Sequence, residues 1–141
     1  MTMDNWQLSV VHIPEEIMDI LEIVQQWLEK HGVLSQVDGC GVSAGETGLF
    51  PLGQEQLWLR EDVVGNRVRR VRYSFTLKKT AAPGVDAAAW LLQLQELAAK
   101  NPPRLGENQK FWAEKGRLVK NTSTGLGIYE LRLLAEREEI V

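Results

Sequence analysis

The sequence predicts an α+β fold, an antiparallel (mixed) β-sheet with two main helices packed on one face. Three observations carry that prediction. Apolar residues recur every three or four positions along two stretches, from Pro14 to His31 and from Asp86 to Asn101. Between them, apolar and polar residues alternate along Arg67 to Lys79. That arm follows Gly65-Asn66, a pair suited to the left-handed positions of a tight hairpin turn.

The first helix is expected over residues 14–31. Ile13, Ile17, Ile20, Leu21, Val24, Trp27 and Leu28 form its apolar stripe, and Glu15, Glu16, Asp19 and Glu22 its solvated side. Pro14 fits the first helical position, Glu15 and Glu16 complement the positive end of the dipole, and Lys30 and His31 the negative end. Gly32 suits a left-handed cap. Residues 6–11 extend this helix or form a separate short segment, and the pattern leaves both open.

Glycines at 32, 39, 41, 45, 48 and 53 punctuate the next stretch into short strands and turns. A strand over Gln56 to Asp62 is expected to place Leu57 and Leu59 on one face and Gln56, Trp58 and Arg60 on the other. Along Arg67 to Lys79, Val71, Tyr73, Phe75 and Leu77 point to the core, while Arg70, Arg72, Ser74, Thr76 and Lys78 face water. Pro83-Gly84 closes that strand. Asp86 is placed as the N-cap of the second helix, whose stripe is Trp90, Leu91, Leu94, Leu97 and Ala98 and whose stop is Pro102-Pro103. After a turn at Leu105-Gly106 come a strand over Lys110 to Glu114, a polar turn from Asn121 to Gly125, and a strand over Ile128 to Arg137. No repeat or linker interrupts the chain, so residues 1–141 are read as a single domain.

Composition narrows the function classes. A hydrophobic fraction of 44% and a charged fraction of 25% are those of a globular protein rather than a disordered or fibrous one. The formal net charge of -3 argues against nucleic acid as the main partner. No segment approaches the roughly 20 apolar residues that cross a bilayer, so no membrane partner is expected. With one cysteine, Cys40, and no signal-peptide pattern at the N-terminus, synthesis in the cytoplasm is expected.

Catalytic chemistry finds little material. The two histidines, His12 and His31, flank the first helix with no partnered nucleophile in sequence, and Cys40 lies between two glycines with nothing to lower its pKa, which reads as a small structural thiol that labels slowly. Neither a zinc pattern nor an acidic calcium loop is present, and the glycines at 39, 41, 45 and 48 are not followed by the Lys-Ser/Thr of a phosphate cradle. The expectation is therefore no catalytic residues, no metal and no cofactor. An enzyme built on Cys40 or on a carboxylate site is the reading that fast, saturable thiol labelling would revive.

The distinctive features are charge and tryptophan. Arg70, Arg72 and Lys78 emerge in register from one strand face, which suits an acidic partner or the protection of a sheet surface from wrong pairing. Tyr73 and Phe75 lie on the opposite face, so this row is a poor platform for stacked bases. On this reading, replacing Arg70 and Arg72 by Glu leaves folding nearly intact and weakens assembly. Of the five tryptophans, Trp27 and Trp90 fall on helix stripes, whereas Trp58 and Trp112 fall on strands and are candidate interface anchors. The candidate subunit or partner interface is thus Arg70, Arg72, Lys78, Trp58 and Trp112.

An ordered run in the second half resembles a known family. Arg72-Tyr73-Ser74-Phe75-Thr76-Leu77 leads into the helix with Trp90 and Leu94, then Asn101-Pro102-Pro103-Arg104-Leu105-Gly106, and the closing Gly127-Ile128-Tyr129-Glu130-Leu131-Arg132-Leu133. This order is similar to that of the tail terminator or minor capsid proteins of long-tailed bacteriophages and prophages, over roughly Val71 to Arg137. The motifs are patterns of fold and not catalytic signatures, and the Gly39 to Gly53 stretch has no counterpart in the family. The resemblance implies a small α+β subunit that assembles into a ring, usually a hexamer, on the head-proximal end of the tail tube. It implies as partners other copies of the chain, the tail-tube protein and head-neck connector proteins, with localisation in the host cytoplasm during assembly and then in the virion tail or neck. The contrasting expectation is a small non-catalytic protein-binding module that uses the basic sheet face.

Overall fold

Three long strands carry the architecture, and their pairing decides where every other element sits. The structure, a computed structural model, describes residues 15–33, 36–37, 47–82 and 84–141. In chain order these form α1 (Glu15–Lys30), β1 (Gln36–Val37), β2 (Thr47–Glu61), β3 (Arg67–Ala81), α2 (Val85–Lys100), β4 (Lys110–Ala113), β5 (Arg117–Asn121) and β6 (Gly127–Ile140). Trp6, His12, Ile13, Pro14, Cys40, Pro83 and the glycines at 39, 41 and 45 lie outside the described residues. One sheet runs β1-β2-β3-β6-β4, with β5 also paired to β6. β1 is parallel to β2 and every other pair is antiparallel. The fold is therefore α+β with a mixed sheet, as the periodicities predict.

The odd-numbered residues of β3 and β6 line the inner face. Val71, Tyr73, Phe75 and Leu77 are buried, and so are Leu131, Leu133 and Ala135 opposite them. On this face lie the stripes of α1 (Ile17, Ile20, Leu21, Val24, Trp27, Leu28) and α2 (Ala87, Leu91, Leu94, Ala98), all in one continuous core. The long aromatic and branched side chains of β3 suit a pleated, covered surface. Trp27 ties the helix layer together, its Nε1 donating to the carbonyl of Asn101 just beyond α2 at 2.6 Å and its ring meeting Phe111 of β4 edge-to-face at 5.1 Å. Trp90 and Leu97 are only partly buried, at the margin of this core.

Local chemistry explains the element ends. α1 closes in a Schellman motif, with Val33 N–H donating to Leu28 and Gly32 N–H to Glu29, and with Gly32 at φ 84°, where a side chain would be strained. Two hairpins use one turn design. Asp62 N–H donates to the Asn66 carbonyl and Gly65 N–H to the Asp62 carbonyl, while Thr122, Gly125 and Leu126 repeat both bonds. Gly65 (φ 89°) and Gly125 (φ 82°) supply the left-handed residue in each. Asp62 Oδ1 further accepts from the N–H groups of Val64 and Asn66. In the first hairpin Gly65 is left-handed and Asn66 is not.

Four expectations need correction. β2 begins at Thr47, not Gln56, because Gly48 and Leu49 pair with β3 on one side and β1 on the other. The expected alternation along 56–62 is interrupted by a register shift between Gln56 and Trp58, which leaves Leu57 half-buried and Leu59 exposed. The helix preceded by Gly84 starts at Val85, so Asp86 sits in the first turn, where its charge complements the dipole without capping. β5 was absent from the sequence expectation; its five residues are all exposed, so no buried face marks it as a strand.

Because Phe75 is fully buried at the centre of the inner face, Phe75→Ala is expected to lower the unfolding free energy by about 3–5 kcal/mol. Leu92→Ala, at an exposed position of α2, is expected to change it by less than about 0.5 kcal/mol. Urea unfolding followed by tryptophan fluorescence checks both.

Candidate functional site

Antiparallel partners point to the same side of a sheet. Trp58 partners Arg70, Arg72 partners Glu136, and Trp112 partners Leu134, which partners Ser74. All five sequence-predicted residues, Arg70, Arg72, Lys78, Trp58 and Trp112, therefore share the outer face, opposite the helices. They form three stations rather than one cluster. Arg60 lies over the Trp58 ring at 4.1 Å, Trp112 stands between Lys110 at 4.6 Å and Arg72 at 5.7 Å, and Lys78 lies over Phe50 at 5.7 Å. The outer face thus has its own aromatic rings beside the cations, which the placement of Tyr73 and Phe75 alone does not reveal.

These cations are not a free basic row. Glu136 accepts from Arg70 Nε through Oε1 and from Arg72 Nε through Oε2, each at 2.9 Å. Arg70 also donates to the Asn108 carbonyl at 2.8 Å, and Asn108 Nδ2 donates to Glu138 at 2.8 Å. Lys78 and Arg117 approach Glu130 more loosely, at 3.9 and 3.7 Å. The side chain of Glu136 is only 8% exposed and that of Arg70 17%, so these are half-enclosed ion pairs and not surface decoration. Burial opposes ionisation of Glu136, but the hydrogen bonds and charges of Arg70 and Arg72 outweigh it and hold its carboxyl below the ordinary value of 4.5.

A second network lies back to back with the first, on the inner face of the same strands. Glu139 accepts from Arg69 at 2.9 Å, from Arg137 at 2.8 Å and from the hydroxyl of Tyr73. Arg137 donates onward to the Leu105 carbonyl at 3.0 Å. Burial raises the Tyr73 hydroxyl above its ordinary value, and the hydrogen bond and charge of Glu139 push it further the same way. For Glu139, burial acts against the charge, yet its three donors hold the carboxyl below the ordinary value. Gln109 completes the loop above, accepting from the N–H groups of Leu105 and Gly106 and donating to the Pro103 carbonyl.

The glutamates of β6 are what sequence reading missed. Their signal was present: Glu136 and Glu138 alternate along β6, and antiparallel pairing of β6 with β3 puts them beside Arg72 and Arg70. Two further groups escaped notice because they share no periodicity. Val63, Val64, Ile140 and Val141 gather as exposed apolar residues at the far end of the β2–β3 hairpin, since Val68 partners Ile140 and Val141 N–H donates to the Arg67 carbonyl. Leu118 and Val119 are exposed on β5. Among the described residues there is no group of His, Cys, Asp and Glu that could hold a metal ion, and no helix long and apolar enough to cross a membrane.

No protein-family model matches the chain, and no curated protein matches it significantly.

The ion pairs alter the expectation for charge reversal. Arg70→Glu with Arg72→Glu sets two carboxylates against Glu136 and is expected to cost roughly 2–3 kcal/mol of stability, less than a fully buried pair because Arg72 stays partly in water. A lower urea midpoint checks it. The pH dependence has a definite sign. Glu136 and Glu139 bind protons less readily folded than unfolded, so their contribution is full above pH 4.5 and is lost as pH falls below it toward their depressed folded values. Melting temperatures measured from pH 6 down to pH 3 are expected to fall more steeply for the wild type than for Glu136→Gln with Glu139→Gln.

Proposed function

We propose that the chain is a structural subunit of a long-tailed phage tail or neck, a tail terminator or minor capsid protein that forms a ring on the tail tube and joins it to the head. The observation that supports it most directly is the β2–β3 arm. No residue of β2 beyond Leu49 is buried, although the strand continues to Glu61. Twelve residues of sheet edge thus add little to the protein's own core. They are nevertheless paired with β3 as far as Glu61, with two register shifts, and β3 is fastened in turn to β6 by the two ion networks. A paired arm that adds little internal packing is suited to contact with a neighbour.

The ordered resemblance from Val71 to Arg137 supplies the particular assembly. On this reading the partners are other copies of the chain, the tail-tube protein and the head-neck connectors, and the role is mechanical rather than catalytic. The outer-face stations around Trp58, Trp112 and Lys78 are partner surfaces, with Arg72 beside Trp112 already oriented by Glu136 and Lys78 approached by Glu130. The protein would act in the host cytoplasm during assembly and remain in the virion tail or neck.

Negative-stain electron microscopy tests the proposal, with the purified protein alone across a concentration series and mixed with the tail-tube protein encoded beside its gene. Rings of uniform diameter, and tubes that end in caps and stop growing, are the expected result. Monomers that leave tube growth unchanged would overturn it and favour a binding module that uses the outer face.

A further inference from the structure

Among the described residues, the outer edge of β2 is a long run of strand backbone with a partner on one side only. β1 pairs with it at Gly48 and Leu49, and from Phe50 to Glu61 it pairs with β3 alone. Gln54, Glu55, Gln56, Leu59, Arg60 and Glu61 are all exposed there. The neighbouring strand shows which of these turn their backbone polar groups outward. The Arg67 carbonyl accepts from Val141 N–H, so the backbone of Arg67 faces β6 and not β2. Alternation along an antiparallel ladder gives Arg69, Val71 and Tyr73 the same direction. Their register partners on β2, which are Glu61, Leu59, Gln56 and Gln54, therefore present their N–H and C=O groups to the open edge.

The bulge at Leu57 gives this edge an unusual phase. Gln56 is opposite Val71 and Trp58 is opposite Arg70, so Leu57 is an extra residue that shifts the outward-turned positions from odd to even numbers. A regular strand laid along the edge would fall out of phase at Leu57. A second copy of β2, running antiparallel with its own Leu57 opposite Trp58, stays in phase throughout. Gln56 then meets Leu59 and Gln54 meets Glu61, each twice, so every outward-turned residue finds another and about eight backbone hydrogen bonds form. Glu55 meets Arg60, also twice. Glu55 and Arg60 are register partners of Arg72 and Val68, so both lie on the outer face and can pair across the junction. Registers centred on Glu55 or on Arg60 set like charges against each other and lose half of the hydrogen bonds.

We infer that β2 of one copy pairs antiparallel with β2 of a second copy about a twofold axis between Leu57 and Trp58, joining the two sheets into one. The occupant is a second copy because only a strand with the same bulge at the same place matches the edge, and because the charges of Glu55 and Arg60 are complementary to their own reversal. The half-buried Leu57 and Trp58 of each copy lie at the axis, where they lose their remaining contact with water. The contact is isologous and closes at two copies, so it is separate from the ring contacts proposed above. It also covers the backbone groups that an open strand edge would otherwise offer to any extended chain.

Charge reversal and cross-linking test the register. In sedimentation and native mass spectrometry the wild type is expected to show a concentration-dependent dimer. Glu55→Arg and Arg60→Glu, both at exposed positions, are each expected to weaken it about tenfold with an unchanged circular dichroism spectrum. The double variant, which reverses both pairs at once, is expected to dimerise about as tightly as the wild type. For cross-linking, Glu55→Cys and Arg60→Cys are made in chains carrying Cys40→Ser and oxidised with glutathione disulfide. Directly opposite residues of an unbonded antiparallel pair are close enough for a disulfide. Each cysteine variant alone is therefore expected to stay uncrosslinked, and an equal mixture of the two to form a covalent heterodimer. A wild type that stays monomeric at the highest concentration reached overturns the inference. So does a double variant no tighter than the single ones, or a disulfide dimer formed by either cysteine variant alone. Charge variants that dimerise normally but no longer cap tail tubes assign the edge to the tube protein, which also overturns it.

Discussion

The pairing register of β3 with β6 is the constraint on which the rest of the molecule depends. Side chains alternate faces with a period of two, so a slip of β6 by one residue against β3 would leave Phe75 and Leu77 inside, carry Leu131 and Leu133 to the outer face and bring Glu130, Arg132 and Glu136 under the helices. The register is specified twice over. Apolar partners such as Phe75 with Leu133 set it at the covered end, and charged partners such as Arg72 with Glu136 and Arg69 with Glu139 set it at the other. An apolar core selects a face but is tolerant of neighbouring partners, whereas a hydrogen-bonded ion pair penalises any arrangement that leaves a half-enclosed charge unmatched.

This division of labour explains the shape of the sheet. Under the helices, burial of apolar surface holds β3 and β6 together. Beyond them that source of stability fades, and the strands continue because each face carries its own polar network, centred on Glu136 outside and Glu139 inside. The loop after α2 is tied into both, through the Asn108 carbonyl on Arg70 and the Leu105 carbonyl on Arg137. Bulges near Pro51 and Gln56 interrupt the exposed edge of β2, a feature that limits indiscriminate strand pairing.

The same arrangement bears on how the proposed partner surfaces work. Cations such as Arg72 and Arg70 are oriented by carboxylates before any partner arrives, so less side-chain freedom remains to be lost on contact. Trp112, flanked by Lys110 and Arg72, presents a ring whose neighbours are already placed. Charge on this face is local and balanced, which suits selective contact between protein surfaces more than long-range attraction of a polyanion.

The sequence by itself determined the α+β class, both helices, the inward alternation of β3 and β6, and the emergence of Arg70, Arg72 and Lys78 from one strand face. Each of these follows from periodicity, which is a local property of the chain: Val71 to Leu77 and Leu131 to Ala135 alternate because one side is buried. Only the tertiary structure decided that the basic row is paired. Arg70 and Glu136 are far apart in sequence, and their contact exists only through the β3–β6 register. It likewise decided the early start of β2, whose Gly48 and Leu49 become strand by pairing on both sides, and the existence of β5, a strand with no buried face to betray it. Buried faces leave a periodic trace in composition because water is excluded from one side of the element. Edges, ion-pair partners and projecting tips leave none, because what defines them is another strand's position.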